Sequence, residues 1–140
     1  MANSSGDKIL RKVDQLGNIT LKELQKYNCN NNKRRCLSIF GTVFDVSDRN
    51  DKYGPDGAYC EFAGHDITLC LGSGKLTEKW LDKFYYLTPK FKDAALSWLE
   101  FYQNEYPKCG YLIKWNENID KWPKPTQNEM EELNAECIIM

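Results

Sequence analysis

Hydrophobic positions change their spacing several times along this chain, and each change marks an element. Leu21, Leu24 and Tyr27 recur at helical intervals behind Thr20-x-x-Glu23, a capping-box pattern, so a short helix opens at Thr20. Asn28-Cys29-Asn30-Asn31-Asn32 ends it in a loop. Leu37-Ser38-Ile39-Phe40 and Thr42-Val43-Phe44-Asp45-Val46 are rich in β-branched and aromatic residues and flank Gly41. They read as one bent strand or a very tight hairpin. Ser47–Lys52 reads as polar loop. Thr68–Leu71 predicts a helical turn broken by Gly72-Ser73-Gly74, and Thr77–Phe84 a short helix with Trp80, Leu81 and Phe84 on one side.

Thr88-Pro89 sets an N-cap before a proline at the first helical position. The helix that follows is the longest, running to about Glu105 with Phe91, Ala95, Trp98 and Tyr102 on one face. Pro107 and Gly110 end it, and Tyr111–Trp115 reads as a closing strand. Thr126-x-x-Glu129 predicts one last short helix over Glu129–Ala135. Helices and short strands mix without a regular βαβ alternation, which indicates an α+β domain.

At 140 residues the chain is one domain by length. A formal net charge of −1 gives no reason to expect nucleic acid as a partner. Lys33-Arg34-Arg35, the only basic cluster, reads as a solvated loop. Met1–Asn18 is polar and has no apolar core of signal-peptide length, and no apolar run approaches the ~18 residues of a spanning helix. The expectation is a cytosolic-facing protein whose six cysteines are free thiols; without a C-x-x-C pair, neither zinc nor a thioredoxin-type motif is indicated.

Candidate chemistry concentrates in Asp51–Asp66, DKYGPDGAYCEFAGHD. Tyr53 and Tyr59 lie either side of Gly54-Pro55-Asp56-Gly57, which is turn chemistry. If Ala58–Ala63 starts a short helix, Tyr53 sits before the bend and Tyr59 on the first turn after it. Two phenols are then aimed into one pocket.

Tyr53-Gly54-Pro55-Asp56-Gly57-Ala58-Tyr59, followed by Phe62-Ala63-Gly64-His65-Asp66, closely resembles the signature of the membrane-associated progesterone receptor family, a branch of the cytochrome b5-like haem/steroid-binding domains. The resemblance covers about residues 19–115, leaving 1–18 as a polar N-terminal segment, 116–136 as an acidic Pro-containing tail and 137–140 as a terminal motif. It implies a small sheet with short helices walling a haem or ligand pocket. It also implies haem b as cofactor, Tyr59 as axial ligand to the iron through its phenolate, and Tyr53 hydrogen-bonded beside it. A phenol titrates near ~10, so iron must displace its proton, and the hard anionic oxygen favours ferric iron. Tyrosine as sole protein ligand leaves one face of the iron open.

Ordinary cytochrome b5 carriers use two axial histidines, and His65 is the only histidine here, which argues strongly against a simple b5-type electron carrier. His65 reads as a surface residue or one set behind the ligand. Cys60 would point ~100° away from Tyr59 on a helix and reads as a small buried hydrophobe. Where relatives place a Lys-Tyr pair near the haem, Tyr106 matches the tyrosine and is a pocket residue, but Glu105 replaces the lysine. A carboxylate beside a haem propionate repels it.

Cys137-Ile138-Ile139-Met140 fits the C-a-a-X prenylation pattern, with Met selecting farnesyl on Cys137. One lipid gives marginal, reversible binding. No Ser/His/Asp, Cys/His or paired-carboxylate constellation points to a catalyst. The expectation is a non-enzymatic haem-binding module on the cytosolic face of endomembranes, the endoplasmic reticulum foremost. By resemblance it would assist partners such as cytochrome P450, with steroid as a further ligand and a haem-mediated homodimer as an open possibility. The rival is a domain that has lost haem and takes a steroid or other apolar molecule, or serves as an adaptor.

Overall fold

The computed structural model describes residues 9–113 and 124–135. Four strands form one sheet: β1 (Gly17–Ile19), β2 (Cys36–Ile39), β3 (Thr42–Asp45) and β4 (Lys108–Leu112), in the order β1-β4-β3-β2. β1 runs parallel to β4, and the other neighbours are antiparallel. Period-two side-chain alternation divides the core between the two faces. Leu37, Ile39, Phe44 and Val46 enter a large cluster with Ile67, Leu69, Trp80, Phe91 and Tyr102. Cys36, Val43, Cys109 and Leu112 join Ile19 and Leu24 in a smaller one.

The β2–β3 connection is the tight hairpin rather than the bent strand. Ile39 pairs with Thr42, and Phe40 and Gly41 between them take φ of 52° and 80°. Two positive φ angles give a turn whose twist matches that of the strands. Beneath the smaller cluster lies α1 (Leu21–Leu24), opened by the Thr20–Glu23 capping box and continued by a 3₁₀ turn, Gln25–Tyr27.

Several boundaries differ from the sequence reading. One helical turn, α2 (Asn50–Tyr53), occupies the end of the stretch read as loop. α3 (Thr68–Ser73) runs through Gly72 and stops at Gly74, which has φ 78°. The single helix expected over Thr77–Phe84 is instead two 3₁₀ turns, Glu78–Trp80 and Phe84–Tyr86. Asp82 interrupts it at φ 64°, its carboxylate accepting from the Asp66 backbone N–H at 2.8 Å and paired with His65 at 2.6 Å. Two side-chain partners hold this residue out of helical geometry.

The long helix α4 (Pro89–Glu105) starts after Thr88 as expected. Phe91, Ala95 and Tyr102 are buried, but Trp98 is 44% exposed and leaves the expected core face. β4 begins at Lys108 and includes Gly110, because the strand lies close to β1: a Cβ on Gly110 would stand 2.6 Å from the Gly17 carbonyl oxygen. Arg34 and Arg35 are not solvated. Arg34 Nε donates to Asp45 at 2.8 Å, and Arg35, 7% exposed, donates to the Cys29 carbonyl at 2.9 Å.

The last helix, α5 (Gln127–Asn134), carries the Thr126–Glu129 capping box and inserts Leu133 into the large cluster. Among the described residues no helix is long and apolar enough to cross a membrane. Cys137 and the end of the expected closing strand, Trp115, lie outside the described residues.

Candidate functional site

The tyrosine stretch folds back on itself. α2 ends at Tyr53, the Gly57 N–H donates to the Gly54 carbonyl at 2.9 Å, and the Tyr59 N–H reaches back to the Lys52 carbonyl at 2.9 Å. A Cβ on Gly57 would meet the Lys52 carbonyl oxygen at 2.2 Å. The glycine is needed for this close approach of two backbones. The reversal brings the Tyr53 and Tyr59 rings to 6.2 Å between centroids, and Tyr59 stacks on Phe62 at 5.5 Å. Cys60–Phe62 is a 3₁₀ turn with Tyr59 as its N-cap, one position earlier than the first-turn placement expected.

The facing wall comes from the C-terminal half of α4 and the residue after it. Tyr53 and Tyr102 share a hydrogen bond between hydroxyl oxygens at 2.7 Å, and the Tyr106 ring stands edge-on to Tyr53 at 6.2 Å and 5.3 Å from Tyr102. These rings, with Lys52, Phe62, Leu71, Gly74, Leu76, Trp98 and Phe101, enclose a cavity of about 400 Å³. Tyr53, Tyr102 and Tyr106 are buried, whereas Tyr59 (39% exposed), Trp98 and Phe101 stand at its mouth. The fold thus gathers Tyr53, Tyr59 and Tyr106 around one space.

Burial pushes the Tyr53 phenol far above its ordinary range and Tyr102 up to about 12. Both are therefore neutral hydroxyls, able to donate or accept but not to supply an anion. The sequence reading missed Tyr102, taking it for a core residue. Its spacing of four from Tyr106 was the available signal, since such residues share a helix face.

The remaining candidates lie elsewhere. Cys60 and His65 line a second cavity of about 500 Å³ on the far side of the 59–62 turn, together with Cys29, Glu61, Lys79 and Asp82. His65 is half-buried and paired with Asp82 through Nδ1. Glu105 does not line the tyrosine cavity; it borders a small recess with Arg11, Arg49 and Pro107. The cationic side chain on the tyrosine cavity is that of Lys52.

Two solved structures from Arabidopsis have the same architecture. One, described as a hypothetical protein with a cytochrome b5 like fold, superposes with a TM-score of 0.65 at 28% identity, covering 76% of this chain and 100% of that one. The other, a putative steroid-binding protein, gives 0.63 at 27% identity, covering 71% and 99%. Among curated proteins, neuferricin of Danio rerio is 37% identical over 97 residues, which is 68% of this chain and 36% of that protein. The cytochrome P450 regulator dap1 of Schizosaccharomyces pombe is 32% identical over 102 residues, 67% of this chain and 61% of its own. Human membrane-associated progesterone receptor component 2 is 30% identical over 108 residues, 74% and 48%. The matched region is thus between about a third and three fifths of these relatives' lengths. Residues 20–111 match the family described as the cytochrome b5-like heme/steroid binding domain, a span that holds the whole tyrosine cavity and ends before α5. With its four-stranded sheet, its short helices and the YGPDGAY turn, the chain belongs to that family, with a membrane-associated progesterone receptor component among its homologues.

Proposed function

We propose that the chain is a non-enzymatic module that binds haem b in the tyrosine cavity, with Tyr59 as the axial ligand to iron. The observation that carries this reading is one phenol at the mouth of an apolar cavity whose deeper phenols are already paired with one another. The donor set fits the group. Tyr59 offers a hard oxygen, Leu71, Leu76, Trp98 and Phe101 offer apolar walls for a flat ring, and Lys52 offers a positive charge to a propionate. Haem so held supplies a ferric centre with an open coordination position.

Each protein residue has a separable part. Tyr59, exposed at the mouth, would hold the iron through its phenol oxygen. Tyr53, buried and neutral, would orient the site through its bond to Tyr102, and has its one proton to offer Tyr59 when Tyr102 is the donor in that bond. Tyr106 packs against both rings and fixes their tilt.

The test is a haemin titration followed by optical absorption, on wild type and Tyr59→Phe. Saturable binding with a ferric-phenolate band that the substitution removes is the expected result. Binding by Tyr59→Phe with an unchanged spectrum would overturn the ligand assignment.

A second reading has its own support. Apart from the phenol hydroxyls and the Lys52 ammonium, the cavity side chains are hydrocarbon or aromatic, a lining that also suits a fused-ring lipid. A steroid that competes with haemin would place both in one cavity; a steroid that binds while haemin does not would favour the haem-free reading.

Attachment to the cytosolic face of a membrane such as the endoplasmic reticulum, through a farnesyl on Cys137, completes the proposal. Its support is the Cys-Ile-Ile-Met sequence and the membrane association named in relatives. Cys137→Ser should move the protein to the soluble fraction. Cytochrome P450 is the proposed partner class, on the strength of the P450 regulator among the relatives.

A further inference from the structure

Four large hydrophobic side chains stand exposed around one opening. Tyr59, Leu76, Trp98 and Phe101 are between 39% and 47% exposed, and all four line the tyrosine cavity. They come from the turn after α2, the segment after α3 and one face of α4, where Trp98 and Phe101 meet edge to face at 5.7 Å. Leu96, also exposed, lies about 160° around the helix from Trp98, and Tyr111 and Ile113 lie on and just after β4. Exposed apolar residues are ordinarily scattered singly, and a contiguous group marks a surface that meets an apolar partner.

The last helix points to the partner. α5 lies outside the family span and is held back onto the domain by side chains along its length. Glu129 accepts from the Tyr86 hydroxyl at 3.1 Å, Glu132 pairs with Lys79 at 2.6 Å, and Lys90 Nζ donates to the Asn134 side chain at 3.1 Å. The Lys75 ammonium donates to the Ala135 carbonyl at 2.7 Å. Lys75 stands between Gly74 and Leu76, both part of the cavity lining, so Ala135 is one lysine side chain away from the rim. Cys137, two residues on, lies within about 7 Å of Ala135. Cations accompany the apolar group: Lys52 on the cavity wall, and Lys75, which has two further protons to donate.

We propose that the mouth of the tyrosine cavity is a membrane-docking surface. Leu76, Trp98 and Phe101 enter the boundary between headgroups and acyl chains of a bilayer, and Lys52 and Lys75 meet lipid phosphates. Aromatic and aliphatic side chains flanked by lysines are the chemistry that lies in that boundary. A single farnesyl holds a protein only marginally, and the rim supplies the second contact that stable attachment requires. The cavity then opens into the phase in which haem or a fused-ring lipid dissolves, so an apolar ligand reaches the tyrosines without crossing water. The orientation builds on the proposed farnesyl at Cys137, whereas the apolar rim does not depend on it.

The experiment uses full-length protein in two forms, enzymatically farnesylated and Cys137→Ser, each mixed with phosphatidylcholine–phosphatidylserine vesicles and read by flotation. Leu76→Ser/Phe101→Ser should weaken binding at least about tenfold in both forms and keep a cooperative urea transition, while Tyr111→Ser/Ile113→Ser leaves binding unchanged. Lipids brominated on the acyl chain should quench the tryptophan fluorescence of wild type. Trp98→Phe should remove that quenching while the protein still floats. Farnesylated protein that floats equally well with and without the rim substitutions overturns the proposal, as does quenching that survives Trp98→Phe. No flotation of the Cys137→Ser form at saturating lipid would also overturn it. Rim substitutions that only dissociate a dimer seen by sedimentation without vesicles overturn it in favour of a second copy on the same face. A chain that farnesyltransferase leaves unmodified, yet floats and loses binding when the rim is substituted, supports the docking face and refutes the anchor.

Discussion

Removing the Tyr53 hydroxyl measures what the buried phenol pair is worth. Its oxygen lies 2.7 Å from that of Tyr102, and both residues are at most 5% exposed. A neutral hydrogen bond contributes about 1 kcal/mol net, but stranding a buried partner costs about 1–3 kcal/mol. Tyr102 also lines the cavity, where water can replace the missing hydroxyl. The cost of Tyr53→Phe should therefore fall at the lower end, about 1–1.5 kcal/mol, or roughly 3–6 °C in Tm for a chain of this size. Tyr102→Phe strands Tyr53 instead, and Tyr53 also feels the Tyr106 hydroxyl, which softens that loss.

If the two phenols act as a unit, Tyr53→Phe/Tyr102→Phe costs hardly more than either single change, and the coupling energy is about 1 kcal/mol. Urea unfolding followed by circular dichroism, with equal m-values across the four proteins, reads this directly. Strict additivity of the single losses would refute the pairing, because the hydroxyls would then have separate partners.

Gly57→Ala places a methyl 2.2 Å from the Lys52 carbonyl oxygen, an atom fixed by backbone. It should cost at least about 2 kcal/mol in urea unfolding and weaken haemin binding; an unchanged midpoint would mean that the turn re-forms freely. Asp66 is 1% exposed and its carboxyl is pushed up to about 7, chiefly by burial, against the downward pull of bonds from Ser38 Oγ and the Thr68 N–H. The folded form holds this proton more tightly than the unfolded chain, so its stabilisation is complete below about pH 4 and is lost as pH rises towards 7. Unfolding free energies from urea melts between pH 4 and 8 should fall for wild type relative to Asp66→Asn by about a few kcal/mol, on the order of the shift; parallel curves would remove Asp66 as the titrating group. Trp98→Ala, at the 44%-exposed mouth, should change stability by less than about 0.5 kcal/mol yet weaken haemin binding about tenfold, and equal affinity would place the ligand away from α4.

Which parts of this molecule were legible in the sequence follows from where the determinants lie. Capping boxes at Thr20 and Thr126 are local hydrogen-bond patterns, so both caps were read correctly, although the last helix starts at Gln127, two residues before the expected Glu129. β1 was not, because Gly17–Ile19 is stabilised by a partner more than ninety residues away, Gly110–Leu112, and has no alternation of its own. Thr77–Phe84 has helical spacing, yet Asp82 is drawn out of the helix by the Asp66 N–H and by His65, partners invisible to a local window. For the site, the YGPDGAY turn pointed to Tyr53 and Tyr59. The role of Tyr102 needed the tertiary contact, since a buried tyrosine on an amphipathic helix has the same spacing whether it lines a cavity or fills a core.

The glutamate at 105 illustrates how one step along the chain can cancel an electrostatic objection. α4 ends there, and Tyr106 leaves helical geometry at φ −132°, ψ 147°. Tyr106 packs against Tyr53 and Tyr102 and also lines the neighbouring recess, which Glu105 borders with Arg49 and Arg11. The cationic residue lining the tyrosine cavity is Lys52, in the last turn of α2. A propionate or other anionic group would meet a cation supplied from the tyrosine turn itself. The lysine-to-glutamate difference that counts against haem in the linear sequence falls at a residue that does not line the tyrosine cavity.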